Sequence, residues 1–240
     1  MKEITEILRQ GFGEYGLTEK IDPNAIRNLE DFSQRLLEKN QVMNLTAIRD
    51  PEGVARLHIL DCAALLQYCD FEGKSLIDVG TGAGFPGMVL KMLVPSLEVT
   101  LLDSLNKRLR WLAEACGELG LEGVRTVHAR AEEQSLTAGF RDSFNFAAAR
   151  AVADLRLLCE LCLPYVKVGG QFLAMKSATS GQELEDAAHA IRLLGGRVAR
   201  VEDYTLPGTE VTHRLVVIEK VAPTLKGYPR RWAKIQKEPL

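Results

Sequence analysis

The sequence predicts an α/β protein with a mostly parallel, seven-stranded sheet that ends in an antiparallel hairpin. Three observations support this fold class. From residue 76 onward, short apolar runs alternate with helical patterns, which is typical of a parallel sheet covered on both faces. A glycine-rich turn over 80–87 follows the first of these runs. The last two runs, 198–204 and 214–219, leave no room for a helix between them, so they should form a hairpin.

Residues 1–70 are expected to form a helical extension packed on the core. A first, weak helical pattern should be broken by the glycines at positions 11, 13 and 16. Asp22 and Pro23 open a stronger second helix, and Pro51 opens a third, with a connector over 41–46 between them. The helices are expected to cover the sheet.

Residues 71–222 are expected to form the α/β core, and residues 223–240 a basic C-terminal tail. A turn at Gly169 and Gly170 should precede the fifth strand, and two of the core helices are expected over 151–166 and 181–194. The seven expected strands are 75–79, 99–103, 124–128, 144–149, 171–176, 198–204 and 214–219.

The first strand leads into a loop that is typical of nucleotide sites, Asp78-Val79-Gly80-Thr81-Gly82-Ala83-Gly84-Phe85-Pro86-Gly87. Glycines let a backbone approach a ligand, and the N-terminus of the next helix then lies beside it. Three classes of cofactor are candidates for this loop. The alternative is that the glycines only turn the chain. A Walker loop is disfavoured because its lysine is missing, with Met88 after Gly87.

The dinucleotide pattern G-x-G-x-x-G is matched literally by 82–87, with Asp103 at about the expected 20 residues. The third class is S-adenosylmethionine, which carries an ammonium group and a sulfonium but no pyrophosphate. A carboxylate at the strand end suits these cations, so Asp78 favours this cofactor. The chain also lacks the Tyr-x-x-x-Lys motif of short-chain dehydrogenases.

Ligands of open α/β sheets bind outside the carboxyl ends of the strands, so the residues there are the site candidates. Asp103 could accept hydrogen bonds from ribose hydroxyls, or cap a helix. Ala131 and Glu132 could flank an adenine, although Glu132 also suits a first helical turn. Arg150 is expected as an isolated cation at the reaction centre, unless it pairs with Asp78 or Asp154. Lys176 could meet a substrate phosphate or remain solvated.

Motifs that are missing narrow the reaction. The fourth strand lacks the Asn/Asp-Pro-Pro-Tyr motif of amine methylation, and no Pro-Cys nucleophile for pyrimidine C5 occurs. A ring nitrogen with a free lone pair, such as guanine N7, can be methylated without either motif. Positioning and charge stabilisation would then supply the catalysis.

The formal net charge of −2 excludes a globally basic nucleic-acid binder. From Lys220 to Leu240, however, six Lys or Arg residues accompany Tyr228 and Trp232, a composition suited to RNA phosphates and bases or to a solvated end. The Cys159-x-x-Cys162 pair has no second pair nearby, so no metal is expected. With no signal peptide or membrane span, we expect a cytoplasmic protein, and nothing demands more than a monomer.

Motifs along nearly the whole chain resemble the ribosomal RNA small-subunit methyltransferase G family, also called glucose-inhibited division protein B. They are Asn44-Leu45-Thr46, the loop from Asp78 to Gly87, Leu102-Asp103-Ser104, Lys107-Arg108, Arg130-Ala131-Glu132, Arg150-Ala151-Val152-Ala153 and Tyr228-Pro229-Arg230-Arg231. One departure is Trp232-Ala233, where a glycine often follows the paired basic residues.

The resemblance implies a class I methyltransferase fold and S-adenosylmethionine-dependent methylation of guanine N7 in the 530 loop of bacterial 16S rRNA. The substrate would be the RNA or the 30S subunit. The resemblance and the strand-end argument together give a candidate site with Arg150 as the catalytic residue. The expected cofactor contacts are Asp78, Gly80, Thr81, Gly82, Gly84, Phe85, Asp103, Ala131, Glu132 and Arg150, and the expected substrate contacts are Asn44, Lys176, Arg230 and Arg231.

Overall fold

The computed structural model describes residues 2–150 and 153–240 and contains one seven-stranded sheet. The strand order is β3-β2-β1-β4-β5-β7-β6. The bounds are β1 Ser75–Val79, β2 Glu98–Asp103, β3 Val124–His128, β4 Phe144–Arg150, β5 Val166–Ser177, β6 Gly196–Thr205 and β7 Thr212–Lys220. All seven expected strands are therefore present, which confirms the predicted fold class.

The pairing directions agree with the expected topology. Strands β1 to β5 pair in parallel, whereas β7 pairs antiparallel with both β5 and β6. The last two strands thus form the predicted hairpin, with β7 inserted beside β5. Strand order reverses between β1 and β4, so Asp78 and Arg150 come from the two strands that flank this switch point, where ligands of such sheets bind.

Strand β5 begins earlier than the sequence indicates, and the prediction that Gly169 and Gly170 form a turn before it is wrong. The strand pairs with β4 at Val166 and again from Gln171, and both glycines lie in the irregular stretch between these pairs, where the register shifts between Phe144 and Phe146. Gly169 has a φ of +84°, and a Cβ on Gly170 would lie 2.5 Å from the carbonyl oxygen of Asn145. The glycines thus permit a bulge inside the strand.

Most of the helices that follow β1 are short. The helix expected over 151–166 is Leu155–Cys162 with a 3₁₀ turn Leu163–Tyr165, and positions 151 and 152 lie outside the described residues. The helix expected over 181–194 is divided at Ala187. In chain order these helices are α4 Gly87–Leu93, α5 Asn106–Glu118, α6 Ala131–Gln134, α7 Leu155–Cys162, α8 Gly181–Asp186, α9 Ala188–Leu193 and α10 Trp232–Lys237.

The helical segments α1 Lys2–Glu14, α2 Pro23–Met43 and α3 over 51–67 precede the sheet, with a 3₁₀ turn Thr18–Lys20 between the first two. Helix α2 begins as expected, because the Asp22 carboxylate accepts a 2.7 Å hydrogen bond from the Asn24 amide. Within α3, Val54–Leu60 is a π-helix. None of the helices in the described part of the chain is long and apolar enough to cross a membrane.

Helix α1 runs through Gly11 and Gly13, so the expected break at these glycines is wrong. Gly11 is required by packing, since a Cβ there would lie 2.4 Å from Cδ1 of the fully buried Leu60. The N-terminal helices pack in this way on one face of the sheet and share a hydrophobic cluster with it, whereas α7 and α9 cover the other face.

We expect Gly11→Ala to lower the free energy of unfolding by about 1–3 kcal/mol, because the new methyl group would overpack against Leu60. Gly13→Ala in the same helix is the matched control, since its nearest neighbour would be 3.7 Å away. That change should stabilise the protein by up to about 1 kcal/mol, because alanine is the better helix former. Denaturant unfolding of both variants checks the pair, and equal effects would contradict the packing argument.

Candidate active site

A cleft of about 850 Å³ opens at the carboxyl edge of the sheet. The glycine loop, the ends of β2 and β4, and the start of α6 form its walls, with parts of α3, β7 and the C-terminal helix. Of the predicted cofactor residues, most line this one cleft: Gly80, Thr81, Gly82, Phe85, Asp103, Ala131, Glu132 and Arg150. Asp78 and Gly84 belong to the loop but are buried and absent from the lining of the cleft.

Asp78 is fully buried and organises the glycine loop from beneath. Its Oδ2 accepts hydrogen bonds from the Thr81 hydroxyl at 2.7 Å and the Gly87 amide at 2.9 Å. Its Oδ1 has no hydrogen-bond partner, and burial raises the pKa of this carboxyl to about 6. Asp78 therefore shapes the loop that holds a ligand, and its expected direct contact with the cofactor stays a prediction.

Asp103 ends β2 at the cleft wall and is 5% exposed. One carboxylate oxygen accepts the Gly82 amide at 3.0 Å and the other accepts the Leu105 amide at 2.8 Å. Asp103 does not cap α5, whose N-cap is Leu105 without a side-chain hydrogen bond, but it stabilises the turn before that helix. It also lines the cleft, and its contact with a ribose stays a prediction. Each oxygen keeps a lone pair for a hydroxyl group, as a ribose diol would require.

The wall after β3 is built from Ala131 and Glu132. Glu132 is 5% exposed and accepts a 2.9 Å hydrogen bond from Nε of Arg130. The carbonyl of Ala131 accepts a 2.6 Å bond from the hydroxyl of Tyr165 in the core. Arg130 also places its guanidinium 5.8 Å from the ring of Trp232, which lines the cleft as well. These contacts fix the wall that was expected to flank an adenine.

Arg150 is not the isolated cation that the sequence indicates. Its Nη1 donates to Oδ2 of Asp61 at 2.9 Å and to the carbonyl of Leu57 at 3.1 Å, while Nη2 donates to Nδ1 of His58 at 3.0 Å. Its guanidinium lies 4.9 Å from the centroid of the Phe85 ring. The partner is thus Asp61, not Asp78 or Asp154, and Arg150 is held rigidly while it lines the cleft.

Asp61 connects α3 to the end of the sheet. It is 1% exposed, and its Oδ1 accepts hydrogen bonds of 2.8 Å from Tyr204 and from Nδ1 of His213. Burial would raise the pKa of Asp61, but the hydrogen bonds from His213 and the charge of Arg150 bring it below its ordinary value. The hydrogen bond to Asp61 raises the pKa of His213. Asp61 and His213 also line the cleft.

His58 is neutral and oriented from both sides. Burial and the nearby charge of Arg150 lower its pKa to about 4. Nδ1 of His58 lies 3.0 Å from Nη2 of Arg150 and 3.1 Å from the carbonyl oxygen of Leu57, and Nε2 lies 2.7 Å from the Thr46 hydroxyl. The imidazole stacks on Phe85 with ring centroids 4.5 Å apart. Since His58 lies in the π-helical part of α3, this distorted turn brings it to the cleft.

Because His58 is neutral in the folded protein, we expect it to make a pH-dependent contribution to the free energy of unfolding. Substitution of His58 isolates this contribution. Between its lowered pKa of about 4 and the ordinary value of 6.5, the unfolded chain binds a proton that the native state does not. The unfolding free energy of the parent relative to His58→Gln should therefore increase as pH rises through this window. Denaturant titrations at about pH 4.5 and about pH 6.5 measure it. A constant or decreasing difference would contradict the assignment.

The predicted substrate residues are dispersed. Lys176 lines the cleft, donates to the carbonyl of Ala153 at 2.9 Å and pairs with Glu183 at 2.7 Å. Asn44 is exposed, ends α2 with a φ of +49°, and directly precedes two residues of the cleft wall. Its side-chain role in RNA binding stays a prediction.

The basic C-terminal tail differs most from the prediction that its charged residues contact RNA. Arg230 is bound to the buried Glu160, with Nε–Oε1 and Nη2–Oε2 distances of 2.8 and 2.7 Å, so its guanidinium is not free for a phosphate. Arg231 is exposed, and its contact with RNA stays a prediction. Lys220, counted with the tail's basic residues, is fully buried and donates to Asp142 and Thr224. A count of charged residues in the sequence could not have identified the partners of Arg230 and Lys220.

The cleft fits S-adenosylmethionine in shape and chemistry. Gly82 has a φ of +58°, and the nearest atom to a Cβ there would be the Gly80 carbonyl oxygen at 3.9 Å, so its backbone is free to approach a ligand. Asp103 offers acceptors for a ribose, and Asp78 supplies negative charge behind the loop. Among the described residues, no group of three His, Cys, Asp or Glu side chains is placed to hold a metal.

Comparisons with known proteins show the family to which the chain is similar. The family model for rRNA small subunit methyltransferase G matches residues 25–212. The ribosomal RNA small subunit methyltransferase G of Alkaliphilus metalliredigens is 46% identical over 240 residues, covering 99% of both chains. The protein of the same name from Alkaliphilus oremlandii is 45% identical with the same coverage.

Among solved structures, a SAM-dependent O-methyltransferase from Thermotoga maritima matches with a TM-score of 0.53 and 18% identity. The match covers 80% of this chain and 73% of that one, and it shows the shared fold. Sheet order and this match together define the class I methyltransferase fold. Within that class, the chain belongs to the rRNA small subunit methyltransferase G family.

Proposed function

We propose that this methyltransferase modifies N7 of a guanine in the 530 loop of bacterial 16S rRNA. The observation that carries the proposal is the chemistry around Arg150. Asp61 accepts three hydrogen bonds, His58 is neutral, and both of its nitrogens have partners. Such a cluster positions a base without taking up a proton. Guanine N7 is suited to this cluster, because its lone pair attacks without prior deprotonation.

When bound, S-adenosylmethionine would supply the methyl group and leave as the neutral thioether, and residues of the cleft would hold it beside the base. Asp103 orients the ribose end of the cleft, since its carboxylate is itself fixed by the amides of Gly82 and Leu105. Arg150 presents a fixed positive charge and planar donors at the opposite part of the same cleft. Holding the two reactants in this way lowers the barrier through orientation rather than through acid–base chemistry.

The RNA is proposed to approach across the rim that contains Asn44, Lys176 and Arg231. Support comes from the position of Asn44 beside the cleft wall, from Lys176 within it, and from the exposure of Arg231. We further propose that the protein acts as a cytoplasmic monomer on the RNA or the 30S subunit, because one chain supplies all the cleft walls described above.

Nucleoside analysis tests this function. RNA from 30S subunits of a strain that lacks the modification is incubated with labelled S-adenosylmethionine and the protein, and then digested to nucleosides. Label in 7-methylguanosine is the expected result. Label confined to an exocyclic amine, a pyrimidine carbon or a ribose would contradict the N7 assignment. Parallel reactions with naked 16S rRNA and intact subunits identify the form that is used.

A further inference from the structure

The C-terminal segment, residues 223–240, is bound to the protein by buried polar contacts. Arg230 donates to Glu160 through its amide and its guanidinium, and Glu160 is 1% exposed. Arg141 donates to the carbonyls of Thr224 and Tyr228 at 2.9 Å each. A buried carboxylate held by a bidentate arginine fixes orientation as well as distance. The segment is thus docked on the core at two separate places.

Apolar packing continues this docking along α10. Ile235 is fully buried in the cluster that covers one face of the sheet, and Trp232 packs against the same cluster. Helix α7 connects both features to the cleft, because Glu160 binds Arg230 while the next residue, Leu161, lines the cleft. The segment therefore reaches the cofactor site through a rigid element.

Trp232 is the point at which the segment enters the cleft. Its side chain lines the same cavity as Ala131 and Glu132. Arg130 bridges the two walls, since it donates to Glu132 at 2.9 Å and lies 5.8 Å from the Trp232 ring. An aromatic ring in such a place can contact the face of a purine, and Trp provides the largest apolar surface for it.

We propose that the C-terminal segment completes the cofactor site: Trp232 contacts the adenine of S-adenosylmethionine, and the Arg230–Glu160 ion pair positions it. The proposal rests on the proposed function only through its cofactor, and it is independent of which RNA is methylated. Arg230 and Glu160 are positioning residues, because they act through Trp232. The basic residues left exposed on the segment, such as Arg231 and Lys234, are not needed for this role.

Calorimetric titration of the RNA-free protein with S-adenosylmethionine tests the proposal. Trp232→Ala should raise Kd by about tenfold or more, which is the scale of base–aromatic contacts, whereas Trp232→Phe should retain most of the affinity. Lys234→Ala, which removes an exposed cation from the same helix, is the matched control and should leave Kd unchanged. Thermal unfolding of each variant verifies the fold. An unchanged Kd in Trp232→Ala would overturn the proposal.

Two further measurements separate the possible roles. The chain has two tryptophans, so Trp111→Phe leaves Trp232 as the remaining one, and its emission should change on titration with S-adenosylmethionine. Arg230→Lys should raise KM for the cofactor with little change in kcat. Loss of RNA methylation in Trp232→Ala at unchanged cofactor affinity would assign the segment to RNA instead. Normal cofactor binding without methylation of any RNA by the parent protein would refute the proposed function but leave this inference intact.

Discussion

Arg150→Ala is expected to reduce kcat/KM for methyl transfer by at least about 100-fold, the scale for loss of one preorganised charged donor. The guanidinium lines the cleft and at the same time joins Asp61, His58 and the Leu57 carbonyl. Its removal therefore takes away a charge at the reaction centre and releases the imidazole that stacks on Phe85. Initial rates with saturating RNA measure the effect.

Arg150→Lys is the matched control for this loss. A lysine keeps the positive charge but cannot serve three acceptors in the planar arrangement of a guanidinium, so we expect activity between those of the parent and Arg150→Ala. Asp61 keeps its hydrogen bonds from Tyr204 and His213 in both variants, which should preserve the fold. If the folded Arg150→Ala variant kept activity within about threefold of the parent, the catalytic role of Arg150 would be contradicted.

Asp61→Ala is expected to be the most destabilising single change at the site. It would leave the Arg150 guanidinium buried without its anionic partner, together with the hydroxyl of Tyr204. Loss of one partner of a buried pair costs about 3–5 kcal/mol, which corresponds to a fall in Tm of about 6–20 °C in a protein of this size. Thermal and denaturant unfolding near neutral pH measure it.

Asp203→Ala provides the control for this prediction. Asp203 also pairs with an arginine, Arg214, but its side chain is 45% exposed. Such surface pairs contribute at most about 1 kcal/mol, so this variant should unfold close to the parent. Because the pKa of Asp61 is lowered in the folded state, its stabilising contribution should be lost as pH falls through that lowered value. Equal destabilisation by both substitutions would contradict the buried network.

The sheet and one half of the site could be predicted because their signals are local. The central strands are short apolar runs, and Asp103 stands where one of them ends. Parallel strands bring those ends to one edge, which places Asp103 and Glu132 in the same cleft without knowledge of packing. For these residues, the local sequence pattern is enough to indicate the position in the fold.

The Arg150 network could not be predicted, because its members are far apart in the chain. Asp61 lies 89 residues before Arg150 and 152 before His213, and no periodic pattern connects them. A π-helix within α3, which spacing alone does not indicate, brings His58 to the cleft. Likewise, charge counting could not separate Arg230, bound to a buried carboxylate, from the exposed Arg231.

The measurement that tests the central claim most directly is the position of the methyl group in the RNA. Unmethylated 30S subunits are incubated with labelled S-adenosylmethionine and the protein, and N7-methylguanine is then mapped along 16S rRNA by cleavage at the modified base. A single modified guanine, located in the 530 loop, is the expected result. A modified base elsewhere, or RNA that stays unlabelled although calorimetry shows cofactor binding, would contradict it.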